Sequence, residues 1–193
     1  MNPRIVVGVS GASGAAIGAR VLAVLGELGA ETHLVVSRAA ERTLREECGP
    51  KSLATLREGA ARVHAIDDIG ASVASGSFVT AGMIVAPCSM RTLSAIAYAL
   101  TDNLLTRAAD AQLKERRPLV LVAREAPLHL SHLRAMIAAT EAGAILMPAV
   151  PAFYLKPDSV EAIVDQIARR AIDLLKAFPP SAREWRGGMD GAA

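Results

Sequence analysis

The stretch Ala86–Glu125, APCSMRTLSAIAYALTDNLLTRAADAQLKERRPLVLVARE, decides how the rest of the chain is read. It opens where one apolar run, Met83–Val85, ends, and it closes on another, Leu119–Val122. Between them stand Ser89, Thr92, Asn103, Arg107, Lys114 and Arg116. A polar, cation-rich connection therefore leaves one buried strand and returns through a second into Arg124-Glu125. In open α/β sheets, ligands sit beyond the carboxyl ends of the strands. Ser89 and Thr92 suit a helix start that offers hydroxyls and free backbone N–H groups to an anion. Arg107, Lys114 and Arg124 are cations that could gather at the same place. The stretch implies a site for one phosphorylated ligand or two.

The chain has 193 residues, 52% of them hydrophobic and only 3% aromatic, so its core must be built from Ala, Val, Leu and Ile. An aliphatic core of that size suits one domain with a parallel sheet covered by helices on both faces. A net charge of +2 is too mild to argue for nucleic acid, and no basic run is interleaved with aromatics. Cys48 and Cys88 form neither a metal-ligand pattern nor a disulfide framework, which suits a reducing cytosol. The N-terminus runs straight into a strand without a signal-peptide apolar region. No apolar run approaches the roughly 20 residues of a membrane span, so a cytoplasmic protein is expected.

Outward from the central stretch, the chain alternates. Arg4–Val9 reads as a strand, Ser10–Gly14 as a Gly/Ser turn, and Ala15–Leu28 as a helix. Such a turn lets the backbone approach an anion with a helix N-terminus facing it. It lacks the Lys-Ser/Thr pair of a Walker loop and is not the usual GxGxxG fingerprint; a tight strand–helix turn without ligand is the lesser alternative. Glu31–Val36 is a second strand, and Ser37 caps a helix over Arg38–Glu47. A weaker strand around Arg62–Ile66 leads into a Ser/Gly loop, Asp67–Phe78, at the ligand edge. Met83–Ala86, Leu119–Val122 and Ala144–Met147 complete six strands. Helices are expected over Ser89–Leu100, Asn103–Glu115 and Leu130–Glu141, the last stopped by Gly143. Pro148–Pro157 is a Pro-punctuated loop with Phe153 and Tyr154. A final helix starts at Asp158 or Ser159, and a tail at about 177–193 carries the only tryptophan, Trp185. The alternation predicts a parallel, doubly wound sheet in a single domain, 1–193.

Taken together, Gly11-Ala12-Ser13-Gly14, Ser37, Ala74-Ser75-Gly76-Ser77, Pro87-Cys88-Ser89-Met90-Arg91-Thr92, Asp102–Asp110, Leu113–Arg117, Arg124-Glu125 and Pro151–Tyr154 closely resemble the UbiX-like flavin prenyltransferases. These belong to a wider flavoprotein group that includes flavin-dependent cysteine decarboxylases. The resemblance covers about Ile5–Trp185. It implies a Rossmann-like (flavodoxin-like) flavin-binding fold and a homododecamer. It implies transfer of a dimethylallyl group from dimethylallyl phosphate to N5 and C6 of reduced FMN. The product, prenylated FMN, is the cofactor of UbiD-type decarboxylases. By resemblance, Gly11, Ala12, Ser13, Ser37, Ser89, Met90, Arg91, Thr92 and Arg124 line the FMN site. Ser75, Arg107, Lys114, Glu125, Tyr154 and Arg170 hold the dimethylallyl phosphate. Ser13 and Glu47 assist proton movements, Glu125 stands beside the chemistry, and Trp185 closes over the site. Two positions depart from the pattern: Ala99 stands where the family often has Gly, and Ala123 where many members have Pro.

The chemistry fits these residue types. Two phosphate dianions near one site need several cations and N–H donors. Cleaving an allylic phosphate leaves negative charge on the phosphate, which fixed cations stabilise, and positive charge on the allyl group, which aromatic faces stabilise. Bond formation at C6 leaves a proton for a general base such as Glu47, relayed through Ser13. Asp67-Asp68 has no second acidic cluster to match it, so metal-free chemistry is expected. The short turn and the absence of an acidic ribose-binding signature point to FMN rather than FAD or NAD. Cys88 reads as a small buried residue, and His129 and His132 share a helix face without further metal ligands. On pattern alone, Arg107, Lys114 and Arg116 also read as a solvated helix face. Two other readings are a cysteine decarboxylase-like enzyme, whose catalytic His and Pro-x-Met-Asn stretch are not recognisable, and a non-catalytic FMN-binding accessory subunit.

Overall fold

A computed structural model describes residues 2–185 and 187. Six strands form one sheet: β1 (Arg4–Val9), β2 (Glu31–Val36), β3 (Arg62–His64), β4 (Gly82–Cys88), β5 (Leu119–Ala123) and β6 (Ile145–Pro148). Their order is β3-β2-β1-β4-β5-β6, with every pairing parallel. Among the described residues seven helices accompany the sheet: α1 (Ala15–Glu27), α2 (Arg38–Cys48), α3 (Ser52–Glu58), α4 (Met90–Ala97), α5 (Leu104–Lys114), α6 (Leu130–Glu141) and α7 (Val160–Asp173). Short 3-10 turns lie at Ser72–Ala74 and Phe153–Leu155.

Alternation along the strands divides the core into two layers. Ile5, Val7, Val9, Ile84, Ala86, Val120 and Val122 pack with α1, α2 and α7. Val6, Met83, Val85, Leu119 and Leu121 face the other way, against α4, α5 and α6. Both layers are aliphatic, because a sheet buried on both faces takes continuous β-branched and Leu runs. Burial of this kind contributes about 25 cal/mol per Å² of apolar surface, which is why β1, β4 and β5 have no polar interior position. α1 lies close on β4: a Cβ at Gly18 would sit 2.2 Å from the Ala86 carbonyl oxygen.

The expected elements form, with three differences. The third strand is only Arg62–His64, because it is a sheet edge whose Arg62 and Val63 face solvent. A short α3, which the sequence reading left unassigned, covers Leu56 against the α1 layer. β4 extends through Pro87 to Cys88, with its register against β5 shifting between Val85 and Cys88. No helix among the described residues is long and apolar enough to cross a membrane. The tail beyond Trp185, Gly187 apart, lies outside the described residues.

The sheet order reverses direction between β1 and β4, with β2 beyond β1 and β5 beyond β4. Such a reversal opens a crevice at the carboxyl ends, where ligands bind in doubly wound folds. The turn after β1, the start of α2 and the start of α4 all meet there.

Candidate functional site

Three helix starts converge on one cavity of about 430 Å³ at that crevice, with Gly11, Ser37, Ser89, Arg91, Thr92 and Asn103 among its walls. Ser37 Oγ accepts from the Ala40 N–H at 3.2 Å, Ser89 Oγ from Thr92 N–H at 3.3 Å, and Asn103 Oδ1 from Thr106 N–H at 3.1 Å. Each cap satisfies one N–H of its helix and leaves earlier ones without an intrahelical acceptor. Three partial positive ends aimed at one space suit a phosphate. Gly11 is required by proximity, since a Cβ there would meet Ala39 Cβ at 2.4 Å. Arg91 is exposed and paired with Asp102, and Arg38 pairs with Asp67 at 2.7 Å. Thus two cations at the rim carry their own carboxylates. Met90 is buried in the core, so it has its backbone, not its side chain, to offer a ligand.

Sequence reasoning overlooked Ser10. Its hydroxyl donates to the Pro87 carbonyl at 2.9 Å and accepts from the Ser89 N–H at 2.7 Å. It is 1% exposed and bolts the first turn to the end of β4. Its place at a strand end was the available signal, but nothing local separated it from Ser13.

The Gly/Ser turn corrects one expectation. The α1 start does not present its first N–H groups to a ligand. Glu47, from the last turn of α2, takes them: its Oε2 accepts from Gly14 N–H at 2.8 Å and Ala15 N–H at 2.9 Å. Gly14 holds φ 99°, a left-handed conformation that glycine adopts without the Cβ penalty. Burial pushes the Glu47 carboxyl up, but hydrogen bonds from Ser13, Ala15 and Gly14 and the nearby Arg124 charge outweigh it, so its pKa lies below the usual carboxylate value. Ser13, Glu47 and Arg124, far apart in sequence, therefore form one cluster beside Ala12. Arg124 is anchored through its N–H to the Cys88 carbonyl at 3.2 Å.

A second cavity, about 410 Å³, lies between α7 and the segment after β6. Tyr154, Arg170 and Trp185 line it together. The two aromatic rings meet edge to face with centroids 5.4 Å apart. Arg170 has no ion pair among the described residues.

One chain does not gather every expected group. Ser75 hydrogen-bonds Ser77 at 2.9 Å, and Lys114 pairs with Glu115 at 2.7 Å. These two stand together, since a Cβ at Gly76 would come within 2.5 Å of Lys114 Nζ. At about 1.5 Å rise per residue, α5 carries Lys114 roughly 16 Å from Asn103, away from the crevice. Arg107, on the first turns of α5, pairs with Asp110 at 2.6 Å and lines neither cavity. Glu125 is exposed, with its own Oε1 accepting from Ala126 N–H at 3.1 Å.

Cys88 is fully buried and its thiol pKa is pushed well up by burial, as expected of a packing residue. His129 and His132 stack with ring centroids 3.6 Å apart. Among the described residues, no group of three His, Cys, Asp or Glu side chains is placed to hold a metal. Ala99 adopts φ 54° just past α4, where the Leu100 N–H bonds the Ala95 carbonyl at 2.8 Å. This is a left-handed helix terminus, which explains why glycine suits the position; Ala there costs about 1 kcal/mol. It closes the end of α4 opposite Ser89 and does not line the cavity.

The profile of the family described as Flavoprotein matches residues 1–172. A relative in Thauera aromatica, named flavin prenyltransferase UbiX, is 55% identical over 187 residues, covering 97% of this chain and 96% of its own. The crystal structure of AnUbiX (PadA1) in complex with FMN and dimethylallyl pyrophosphate aligns with a TM-score of 0.93 and 48% identity, over 97% of this chain and all of that one. A dodecameric FMN-dependent Ubix-like decarboxylase from Escherichia coli O157:H7 aligns with a TM-score of 0.90 and 43% identity, over 95% of this chain and all of that one.

Proposed function

The chain belongs to the Flavoprotein family and, within it, to the UbiX-like flavin prenyltransferases; from that premise we propose that it transfers a dimethylallyl group from dimethylallyl phosphate to reduced FMN. One observation carries the reading. A carboxylate fixed by Ser13 and two backbone N–H groups holds the far side of the turn whose Gly11 lines a cavity ringed by three capped helix starts. Proton transfer and phosphate binding are thus provided side by side.

Bound reduced FMN supplies the nucleophilic N5 and C6 atoms. The chain's own groups do the rest. Ser37, Ser89 and Thr92, with the open N–H groups of α2 and α4, hold the flavin phosphate. Gly11, Ala12 and Ser13 let the backbone lie close to the ring system, and Arg124 places positive charge beside it. Tyr154 and Arg170 hold the donor phosphate, and Trp185 covers the allyl group. Glu47, through Ser13, takes the proton released at C6. Ser75, Arg107 and Lys114 serve the donor phosphate from a neighbouring copy, since one chain keeps them away from the crevice, and Glu125 faces the same junction. A dodecamer, as in the Escherichia coli relative, would bring such copies together. The product is destined for a UbiD-type decarboxylase.

Anaerobic incubation with reduced FMN and each prenyl donor, followed by mass spectrometry of the flavin, tests the reading. Absence of a flavin heavier by one dimethylallyl unit with either donor overturns it. Turnover is expected to be unchanged by EDTA, because cations and helix ends, not paired acid clusters, surround the phosphate positions. Loss in EDTA that magnesium restores would contradict this. Arg170→Ala is expected to raise the donor KM about tenfold or more at near-native FMN affinity, since a charged hydrogen bond contributes about 1.5–3 kcal/mol. Equal weakening of FMN and donor binding would show that Arg170 does not belong to the donor phosphate.

A further inference from the structure

The chain after α7 turns back and lies along that helix. Pro179 and Pro180 stiffen the return. Two α7 side chains then hold the backbone of the returning segment. The Asp173 carboxylate accepts from Ser181 N–H at 2.8 Å through Oδ1 and from Ala182 N–H at 3.1 Å through Oδ2. The Gln166 amide pairs both ways with Arg183: its Nε2 donates to the Arg183 carbonyl at 3.0 Å, and its Oε1 accepts from the Arg183 N–H at 3.0 Å. Together these bonds take up three N–H groups and one carbonyl, with no regular secondary structure involved. Two residues further on, Trp185 reaches the Tyr154 ring.

The spacing on α7 is informative. Gln166, Arg170 and Asp173 are four and three residues apart, so they form one stripe on the helix. Arg170 lies between the two anchors, and all three line the 410 Å³ cavity. An Asp three residues from an Arg on a helix is also placed to pair with it. Here Asp173 bonds backbone N–H groups of the tail, and Arg170 has no ion pair among the described residues. The docked tail therefore occupies the carboxylate that would otherwise neutralise the cation.

We propose that Gln166 and Asp173 are positioning residues that latch the 181–185 segment onto α7, setting Trp185 against Tyr154 and keeping the Asp173 carboxylate off Arg170, which is left to an anionic phosphate. The proposal rests on the donor assignment made above for Arg170 and Tyr154. It adds residues that touch neither substrate but act through the tail. Latching and donor binding are coupled: a phosphate on Arg170 favours the docked tail, and the docked tail favours the phosphate.

Trp185 is the only tryptophan, so its fluorescence reports the latch without any turnover. Gln166→Ala and Asp173→Ala in the full chain are expected to red-shift its emission and increase its quenching by acrylamide. In the native protein, dimethylallyl phosphate should reduce that quenching, and inorganic phosphate should do so more weakly. In steady state both variants should raise the donor KM about tenfold, the effect of one or two lost hydrogen bonds, while kcat stays near native. Their FMN affinity should be unchanged, which also shows that they fold. Asp173→Asn, which keeps one acceptor oxygen, should fall between native and Asp173→Ala. Trp185 quenching unchanged in both alanine variants, or an unchanged donor KM, overturns the latch. If the native protein prenylates no flavin, the donor assignment fails, and the variant quenching still decides whether Gln166 and Asp173 hold the tail.

Discussion

Glu47→Gln is expected to slow flavin prenylation by roughly 10²–10⁴-fold, the usual contribution of a general acid–base group, with both ligands still bound. The fold should survive, because a glutamine carbonyl oxygen can accept from Gly14 and Ala15 as Glu47 Oε2 does. What the substitution removes is the ability to take a proton. The lowered pKa of Glu47 narrows the expectation. A carboxylate stabilised by three hydrogen bonds and a nearby guanidinium is ionised at neutral pH but is a weak base, which favours the lower end of the range. The sign for stability follows from the same shift. The Glu47 contribution is fully present above the ordinary carboxylate range and is lost as pH falls through its lowered folded value. Urea midpoints of native and Glu47→Gln protein, measured from neutral pH downward, should therefore converge in acid. Conversion of reduced FMN to the heavier flavin measures the rate effect. Full activity in Glu47→Gln would remove Glu47 from the proton path and leave the rest of the site assignment standing.

Gly18→Ala is expected to be strongly destabilising for a change of one methyl group. The added Cβ would lie 2.2 Å from the Ala86 carbonyl oxygen and 3.2 Å from Val9 Cγ2. The first is backbone in a fully buried strand, so no side chain can rotate away. α1 must then lift from β4, opening the core that holds Val21, Leu22 and Leu25. Overpacking of this kind costs on the order of 3 kcal/mol, which lowers the midpoint of a chain this size by roughly 6–12 °C. Because α1 carries the Gly14–Ala15 N–H groups that hold Glu47, FMN affinity and turnover should fall as well. Gly26→Ala in the same helix is the control. Its Cβ would meet nothing within 4 Å, so it should stabilise by about 0.5–1 kcal/mol through helix propensity. Thermal unfolding of the pair separates close packing from propensity. Similar midpoints for the two variants would mean that α1 does not sit on β4 as described.

The expectations that held came from local physics. Hydrophobic runs bounded by turn residues located β1, β4 and β5, because a strand buried on both faces is apolar almost throughout. The apolar half of β2, Leu34–Val36, located that strand although Thr32 and His33 are buried with it. Ser37, Ser89 and Asn103 marked helix starts, because a short oxygen-bearing side chain before an apolar period caps the next N–H groups. The Gly/Ser turn reads as a place where backbone approaches an anion, whereas the close neighbour that Gly11 has is Ala39. The edge strand and α3 were faint because little of either is buried. Roles that depend on distant partners were another matter. Glu47 reaches Gly14 across 33 positions, and Ser10 reaches Pro87 across 77. A turn that reads as an anion site can thus have its N–H groups taken by a carboxylate from its own chain.

The sequence by itself determined the alternating order of elements, the aliphatic core, the capped helix starts and, through ordered motifs, the family. These are properties of neighbouring residues and of their periodicity. Only the tertiary structure decided which N–H groups remain for a ligand, that Tyr154, Arg170 and Trp185 form a separate cavity, and that Ser75 and Lys114 lie off the crevice within one chain. It also decided that Gln166 and Asp173 bind the tail. Chain connectivity allows many long-range pairings of the same polar groups at similar cost, and the choice among them is made when the two aliphatic layers pack and set the distances.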